Sequence, residues 1–140
     1  MRRKTTLLIL CFLGFIPIVN TQQKPKTVTT PKVEVYYFHP TERCPIDLSI
    51  EENTRATMQS VFSREIKEGT VKFQVLNTDD KANAKTAAKF DINAQALYIV
   101  KHDKEKETKT DLTDFAFSTC HGNPAKFNAR LKDEIETALK

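Results

Sequence analysis

The sequence predicts an α/β domain in which one mixed sheet is flanked by helices, with the element order βαβαββα. Two patterns indicate this class. Short β-branched and aromatic stretches recur along the chain, and segments with apolar residues at helical spacing lie between them. Two strands joined through a helix form a right-handed parallel unit, and the last two strands are predicted to form an antiparallel hairpin.

The first predicted strand and helix occupy residues 32–69. Residues 32–38 (KVEVYYF) are β-branched and aromatic and lie between Pro31 and Pro40, which is typical of a buried strand. Pro45 suits the first position of a helix, and Gly69 suits its end. The apolar residues predicted to share one face of this helix are Ile50, Met58, Val61, Phe62 and Ile66.

Two further strands and a helix are predicted in the middle of the chain. Val71–Leu76 (VKFQVL) alternates, which predicts a second strand, and Gln95–Lys101 (QALYIVK) predicts a third. Asp79–Lys89 lies between them and is rich in alanine, which favours a helix. The alanines predicted to lie on one side of this helix are Ala84, Ala87 and Ala88.

The C-terminal part is predicted to contain a hairpin and a final helix. The charged run His102–Lys106 predicts a turn, and Thr108–Phe115 predicts a fourth strand that pairs back. Asn123 and Pro124 are typical of an N-cap and a first helical turn. The apolar residues that then repeat every four positions are Phe127, Leu131, Ile135 and Leu139.

A domain of this size needs neither a metal nor a disulfide merely to fold. The apolar periodicity of the predicted helices and strands indicates that their apolar faces form one continuous core. Its predicted members are Ile50, Met58, Phe62, Phe73, Leu97, Ile99, Phe127, Leu131 and Ile135.

Residues 1–22 have the three parts of a secretory signal peptide: a basic start, an apolar run at Leu7–Val19 and a polar end. The apolar run is shorter than the ~20 residues of a membrane span. We expect a periplasmic or secreted protein, and the alternative is an uncleaved leader that anchors the domain to a membrane. Residues 23–31 are predicted to be a flexible spacer before the domain at 32–140.

The charge balance argues against nucleic acid. The whole chain has 22 basic and 18 acidic residues, for a net charge of +4, but Arg2, Arg3 and Lys4 lie in the leader. The rest of the chain therefore has 19 basic residues against 18 acidic ones. Because a phosphate-binding surface needs clustered positive charge, we expect no nucleic-acid partner.

Cys44 is predicted to lie at or beside the N-cap of the first helix. The positive end of the helix dipole favours a thiolate there, and Arg43 and His39 are expected to act in the same direction. Asp47, one turn into the helix, is expected to act against it. These residues indicate either a reactive single thiol or a structural cysteine.

The element order and several segments resemble the thioredoxin-like superfamily. Tyr37 and Phe38 end a strand, Cys44 opens a helix, and residues 75–100 (VLNTDDKANAKTAAKFDINAQALYIV) resemble a thioredoxin strand, acidic turn, helix and strand. Residues 111–136 (DLTDFAFSTCHGNPAKFNARLKDEIE) resemble more narrowly the small exported proteins labelled nitrophenyl compound nitroreductase subunit, the ArsF family. The other segments that match that family are Phe38-His39, Arg43-Cys44 and Ser49-Ile50-Glu51.

The sequence departs from the thioredoxin pattern at two positions. The resemblance implies a Cys-x-x-Cys motif, but the segment here is Cys44-Pro45-Ile46-Asp47, and a carboxylate cannot attack a disulfide. The cis-proline expected before the third strand corresponds to Ala96, which predicts an ordinary trans peptide. By the resemblance, the residues expected to line a binding surface are His39, Arg43, Asp47 and Ala96.

The resemblance also implies that the loop before the last helix runs beside the redox cysteine. Cys120 lies three residues before Asn123, and so is expected in that loop. Cys44 and Cys120 are therefore the candidate catalytic pair, as a static bridge or a redox-active one. A bridge would stabilise the fold by about 2–4 kcal/mol.

A metal site formed by His39, Cys44, Cys120 and His121 is a third alternative, but these residues lack tight ligand spacing. The sequence also has no flavin-binding or phosphate-loop signal, so we expect no metal and no cofactor.

Two functional hypotheses follow from the sequence. The first is an exported thiol-disulfide protein in which Cys44 is the nucleophile and Cys120 is a displaced resolving partner. The second is a redox-inert thioredoxin-fold module that binds a protein or peptide. In both hypotheses the domain is expected to be a monomer.

Overall fold

The computed structural model describes residues 30–140, except for residues 93 and 105. The predicted signal peptide and all but the last two residues of the predicted spacer lie outside the described residues, so both stay predictions. Among the residues described, no helix is both long enough and apolar enough to span a membrane.

The described chain contains four strands and five helices. The strands are β1 (Val33–His39), β2 (Val71–Asn77), β3 (Ala96–Asp103) and β4 (Lys106–Asp111). The helices are α1 (Pro45–Val61), α2 (Ser63–Glu68), α3 (Ala84–Lys89), α4 (Thr113–Thr119) and α5 (Pro124–Leu139), with a 3₁₀ turn (Lys81–Asn83) before α3.

The strands form one mixed sheet in the order β2-β1-β3-β4. β1 and β2 are parallel, and the two other neighbouring pairs are antiparallel. In the middle of β1, Tyr37 lies between Val75 of β2 and Leu97 of β3. The prediction of an α/β domain with one mixed sheet flanked by helices is therefore confirmed.

The alternation of β1 divides the core into two clusters, one on each face of the sheet. Val35 and Tyr37 belong to the larger cluster, which α1, α4 and α5 cover, and Tyr36 and Phe38 belong to the smaller one beside α3. The nine predicted core residues all belong to the larger cluster; eight are buried, and Phe73 is partly buried. The members of the smaller cluster are Tyr36, Phe38, Ala87, Phe90, Ala96 and Val100.

The long helix predicted for residues 45–69 is interrupted at Phe62, whose φ of −111° and ψ of 19° are not helical. Because helical spacing holds only within an uninterrupted helix, Ile66, which follows the break, does not continue the predicted apolar face, and Val61 is the last residue before the break. Val61 is 41% exposed and Ile66 is 38% exposed. The prediction that both share the buried face was wrong. In α3, likewise, Ala87 is buried whereas Ala84 and Ala88 are exposed.

The hairpin is shifted relative to its prediction. His102, predicted in the turn, lies in β3, which extends to Asp103. β4 ends at Asp111 instead of Phe115. Oδ1 of Asp111 accepts a hydrogen bond from the backbone N–H of Thr113 at 2.8 Å, a local bond that competes with strand pairing, and α4 begins at Thr113. Phe115 is therefore helical, and the fourth strand is shorter than predicted.

Candidate functional site

Cys44 is the N-cap residue of α1, with an extended backbone at φ −84° and ψ 164°. Pro45 occupies the first turn. Cys44 and Asp47 form a capping box: the Asp47 carboxylate accepts the backbone N–H of Cys44 at 2.9 Å, and the Cys44 sulfur accepts the backbone N–H of Asp47. The thiol is free and exposed, so it is fixed at a helix N-terminus with access to solvent.

Asp47 is buried at 0% exposure beneath this turn. Its Oδ2 also accepts a hydrogen bond from Nε2 of Gln95 at 3.3 Å, and its Oδ1 has no hydrogen-bond partner among the described residues. Burial alone would raise the pKa of the Asp47 carboxyl, but hydrogen bonds from Cys44 and Gln95, with the charge of Arg43, bring that pKa below its usual value. Asp47 is therefore an ionised carboxylate held close to the cysteine.

The backbone carbonyl of Asp47 is also bound. It accepts hydrogen bonds from the Tyr37 hydroxyl at 2.9 Å and from Nη2 of Arg43 at 3.4 Å. β1 therefore contacts the first turn of α1 from below, through Tyr37. This contact fixes the height of the turn above the sheet.

Arg43 forms an ion pair with Glu51 at 2.6 Å, and its guanidinium lies over the Tyr37 ring at 5.8 Å from the centroid. Glu51 also pairs with Arg55 at 2.6 Å. The positive charge of Arg43 is thus offset by the Glu51 carboxylate, about two turns along α1. The expectation that Arg43 favours a Cys44 thiolate is weakened by this pairing.

His39 and Ala96, two predicted binding residues, do not join the cysteine. Nδ1 of His39 lies 2.8 Å from the carbonyl of Pro40, and its ring stacks on Tyr37 with centroids 6.0 Å apart. No contact found within the described part of the chain joins His39 to Cys44. Ala96 is 2% exposed and packs in the smaller cluster. Its side chain therefore supports the sheet instead of facing a partner.

Cys120 caps the C-terminus of α4 and is 1% exposed. Its thiol donates a hydrogen bond to the carbonyl of Ser49 at 3.3 Å. Burial raises the pKa of the Cys120 thiol to about 11, although a hydrogen bond with Asn53 acts in the other direction. Cys44 and Cys120 are both free in the part of the chain described here, so the structure contains no bridge between them. Cys120 belongs to the core instead of the exposed first turn.

Sequence reasoning missed Gln95, Tyr37 and Glu51 as residues of the site. Gln95 immediately precedes Ala96, but its contact with Asp47 depends on β3 pairing directly with β1.

Residues 30–140, apart from the two gaps, contain no group of three or more His, Cys, Asp or Glu side chains arranged to hold a metal. The four residues of the metal alternative, which include the exposed His121, therefore do not form a ligand set.

No protein-family model matches the chain, and a search of curated proteins gives no match. One solved structure that is similar is described as the structure of a malarial protein. It is 13% identical, with a TM-score of 0.40, and the match covers 62% of this chain and 93% of the malarial chain. The basis for a functional assignment is therefore the site itself.

Proposed function

We propose that the chain is an exported thioredoxin-like protein in which Cys44 is a single nucleophilic thiol that forms mixed disulfides with a protein or peptide. The observation that carries the proposal is the exposed free thiol of Cys44 at the N-cap of α1, in contrast to the buried thiol of Cys120. A thiol at a helix N-terminus receives N–H donors and the positive end of the dipole, which favours its reaction.

The sheet supports the thioredoxin-like part of the proposal. β1 and β2 are parallel and joined through α1 and α2, and β3 and β4 form a hairpin followed by helices. Cys44 lies at the start of the helix after β1, which is where the resemblance in sequence implies a redox cysteine.

The export of the protein rests on the leader at residues 1–22. N-terminal sequencing of the exported protein tests it: a start near residue 22 supports cleavage, and a start at Met1 contradicts it.

The reaction is a thiol-disulfide exchange. Cys44 loses its proton to solvent, and its sulfur attacks one sulfur of a partner disulfide; a new S–S bond forms, the old one breaks, and the second partner sulfur leaves as a thiolate. Asp47 has no sulfur with which to resolve the product, and Cys120 is buried. Release therefore requires an external thiol, which attacks the mixed disulfide and leaves Cys44 reduced.

An exposed apolar side chain lies one helical turn from Cys44. Leu48 is four residues after Cys44, on the same side of α1, and is 52% exposed. A large exposed apolar side chain one turn from a reactive thiol provides a surface on which a peptide can pack. Leu48→Glu is expected to slow mixed-disulfide formation with a protein partner more than with a small disulfide.

The second candidate is a redox-inert binding module, and the position of Asp47 favours it. The Asp47 carboxylate accepts a hydrogen bond from Cys44, so a thiolate at Cys44 would be close to a second negative charge. In that case Cys44 serves as an N-cap, and the surface around it binds a partner without exchange.

The test compares wild type, Cys44→Ser and Cys120→Ser, each incubated with oxidised glutathione and then with excess reduced thiol. We expect a glutathione adduct on wild type and on Cys120→Ser, its removal by the added thiol, and no adduct at the site in Cys44→Ser. Adduct formation that survives in Cys44→Ser would refute the nucleophile. No adduct in any of the three would support the binding module.

A further inference from the structure

β4 is an edge strand, and its outer side is open. All six of its residues are exposed or partly exposed, and it pairs only with β3 among the strands described. The direction of its backbone groups follows from the hydrogen bond that Leu112 donates to the carbonyl of Leu97 at 2.8 Å, which places the N–H of Leu112 toward β3. Because these directions alternate in antiparallel pairs, Thr110 and Thr108 also face β3, and Lys109 and Glu107 face outward.

We propose that this edge binds a second copy of the chain, with the two β4 strands antiparallel about a two-fold axis at Thr108. The sheet then continues through β4 of both copies. In this register Glu107 of each copy lies opposite Lys109 of the other, and Thr108 lies opposite itself. The outward N–H and C=O groups of Glu107 and Lys109 bond to each other across the axis, so each charge pair coincides with a backbone-bonded pair.

The charges select this register. In an antiparallel two-fold pairing each side chain stays on its own face of the sheet. The axis must therefore pass between the two copies of one residue, and not between successive residues. An axis at Lys109 would oppose Lys109 to itself and Glu107 to Asp111. An axis at Thr110 would use the Asp111 carboxylate, which already accepts hydrogen bonds from Tyr98 and Thr113, and would bring β4 against the start of α4.

Both charged side chains retain bonding capacity for a partner. The contacts of Glu107 with Lys89 at 2.7 Å and with His102 at 3.4 Å use its Oε1, which leaves Oε2. Lys109 donates one hydrogen bond, to the carbonyl of Lys89, and has two further N–H groups. Charges on an edge strand usually oppose pairing because they would be left unmatched. Here Glu107 and Lys109 each meet the opposite charge, while Lys106 lies opposite Thr110 and Asp111 extends beyond the paired part of β4. The two central charge pairs therefore make the edge selective for its own sequence.

A cysteine placed on the axis tests the register. The background for this test carries Cys11→Ser and Cys44→Ser, so that neither of these thiols can form a disulfide. Two Thr108 residues would form a non-hydrogen-bonded pair with Cα atoms ~4.5 Å apart, within disulfide range. Two Thr110 residues would lie four positions apart along the strands, or ~13 Å. We expect Thr108→Cys to give a 108–108 disulfide on mild oxidation, identified by peptide mass spectrometry, and Thr110→Cys to give none. Equal cross-linking in both variants, or none in Thr108→Cys, would overturn the proposal.

Charge reversal gives a second test without cysteine. Glu107→Lys and Lys109→Glu each place like charges opposite one another, so sedimentation equilibrium is expected to show loss of the dimer in both. The double variant restores opposite charges, and we expect it to restore the dimer although its contacts within one copy differ. A wild type that stays monomeric at its highest soluble concentration, or a double variant that does not recover, would contradict the pairing. The proposed dimer differs from the monomer expected from the sequence, and the sedimentation measurement distinguishes the two.

Discussion

Oδ2 of Asp47 accepts a hydrogen bond from the backbone N–H of Cys44 at 2.9 Å. Asp47 occupies the position at which the resemblance in sequence implies a resolving thiol, and it completes the capping box whose N-cap residue is Cys44. Its carboxylate holds the turn that presents the sulfur, and its charge lies close to that sulfur. We therefore expect Asp47 both to position Cys44 and to moderate its reactivity.

Replacing Asp47 with Asn separates these two effects. The amide oxygen can still accept from Cys44, but the negative charge is removed, so alkylation of Cys44 by iodoacetamide at neutral pH is expected to become faster. The measurement is the alkylation rate at Cys44 followed by peptide mass spectrometry. Asp114→Asn, an exposed change in the first turn of α4, is the control and should leave the rate unchanged. An unchanged or slower rate in folded Asp47→Asn would contradict this role.

The same carboxylate predicts a pH dependence of stability. Hydrogen bonds outweigh burial and hold the pKa of Asp47 in the folded chain below its usual value, whereas the unfolded chain titrates at ~3.9. The ionised carboxylate therefore stabilises the fold above ~3.9, and this contribution is lost as the pH falls through the folded pKa. Urea unfolding from about pH 5 to pH 2 should show a steeper loss of stability in wild type than in Asp47→Asn. Equal slopes would show that Asp47 contributes nothing.

The burial of Cys120 predicts that it is protected in the native protein. Because its thiol is covered, has a pKa of about 11 and donates a hydrogen bond to Ser49, brief alkylation at neutral pH should modify Cys44 and leave Cys120 unmodified. In denaturant both should react. Native labelling of Cys120 as fast as that of Cys44 would mean that α4 opens readily or is misplaced.

The break between α1 and α2 gives a matched pair of core variants. Phe62 is 3% exposed in the larger cluster, so Phe62→Ala is expected to lower the free energy of unfolding by about 3–5 kcal/mol. Its neighbour Val61 is 41% exposed, and Val61→Ala should change stability by less than about 0.5 kcal/mol. Urea unfolding of the two variants measures both values. A cost for Phe62→Ala as small as that for Val61→Ala would mean that the buried face is misassigned.

Local sequence patterns predicted the fold class and the larger cluster. Apolar residues such as Phe127, Leu131 and Ile135 recur at a spacing that places them on one face of a helix. These patterns failed at Phe62 and at Asp111. At Phe62 the chain leaves the helix with no Gly or Pro to mark the break. At Asp111 the carboxylate accepts a hydrogen bond from the backbone N–H of Thr113 and the chain turns into α4, whereas local propensity favoured a longer strand.

The site was predictable only in part. Cys44 could be placed at a helix start because Pro45 follows it, and Asp47 could be placed one turn later by spacing. The burial of Cys120 depends on how α4 packs against α1, and the contact between Gln95 and Asp47 depends on strand order. Both are relations between segments distant in sequence, on which local patterns carry no information.

The most direct test of the account is the site of the mixed disulfide that wild-type protein forms with oxidised glutathione. Peptide mapping of the native adduct, without reduction, locates the modified cysteine and measures its occupancy. We predict glutathione on Cys44, no modification of Cys120, and no Cys44–Cys120 disulfide. A Cys44–Cys120 disulfide as the main product, or glutathione on Cys120 with Cys44 unmodified, would contradict the account of Cys44 as the single reactive thiol.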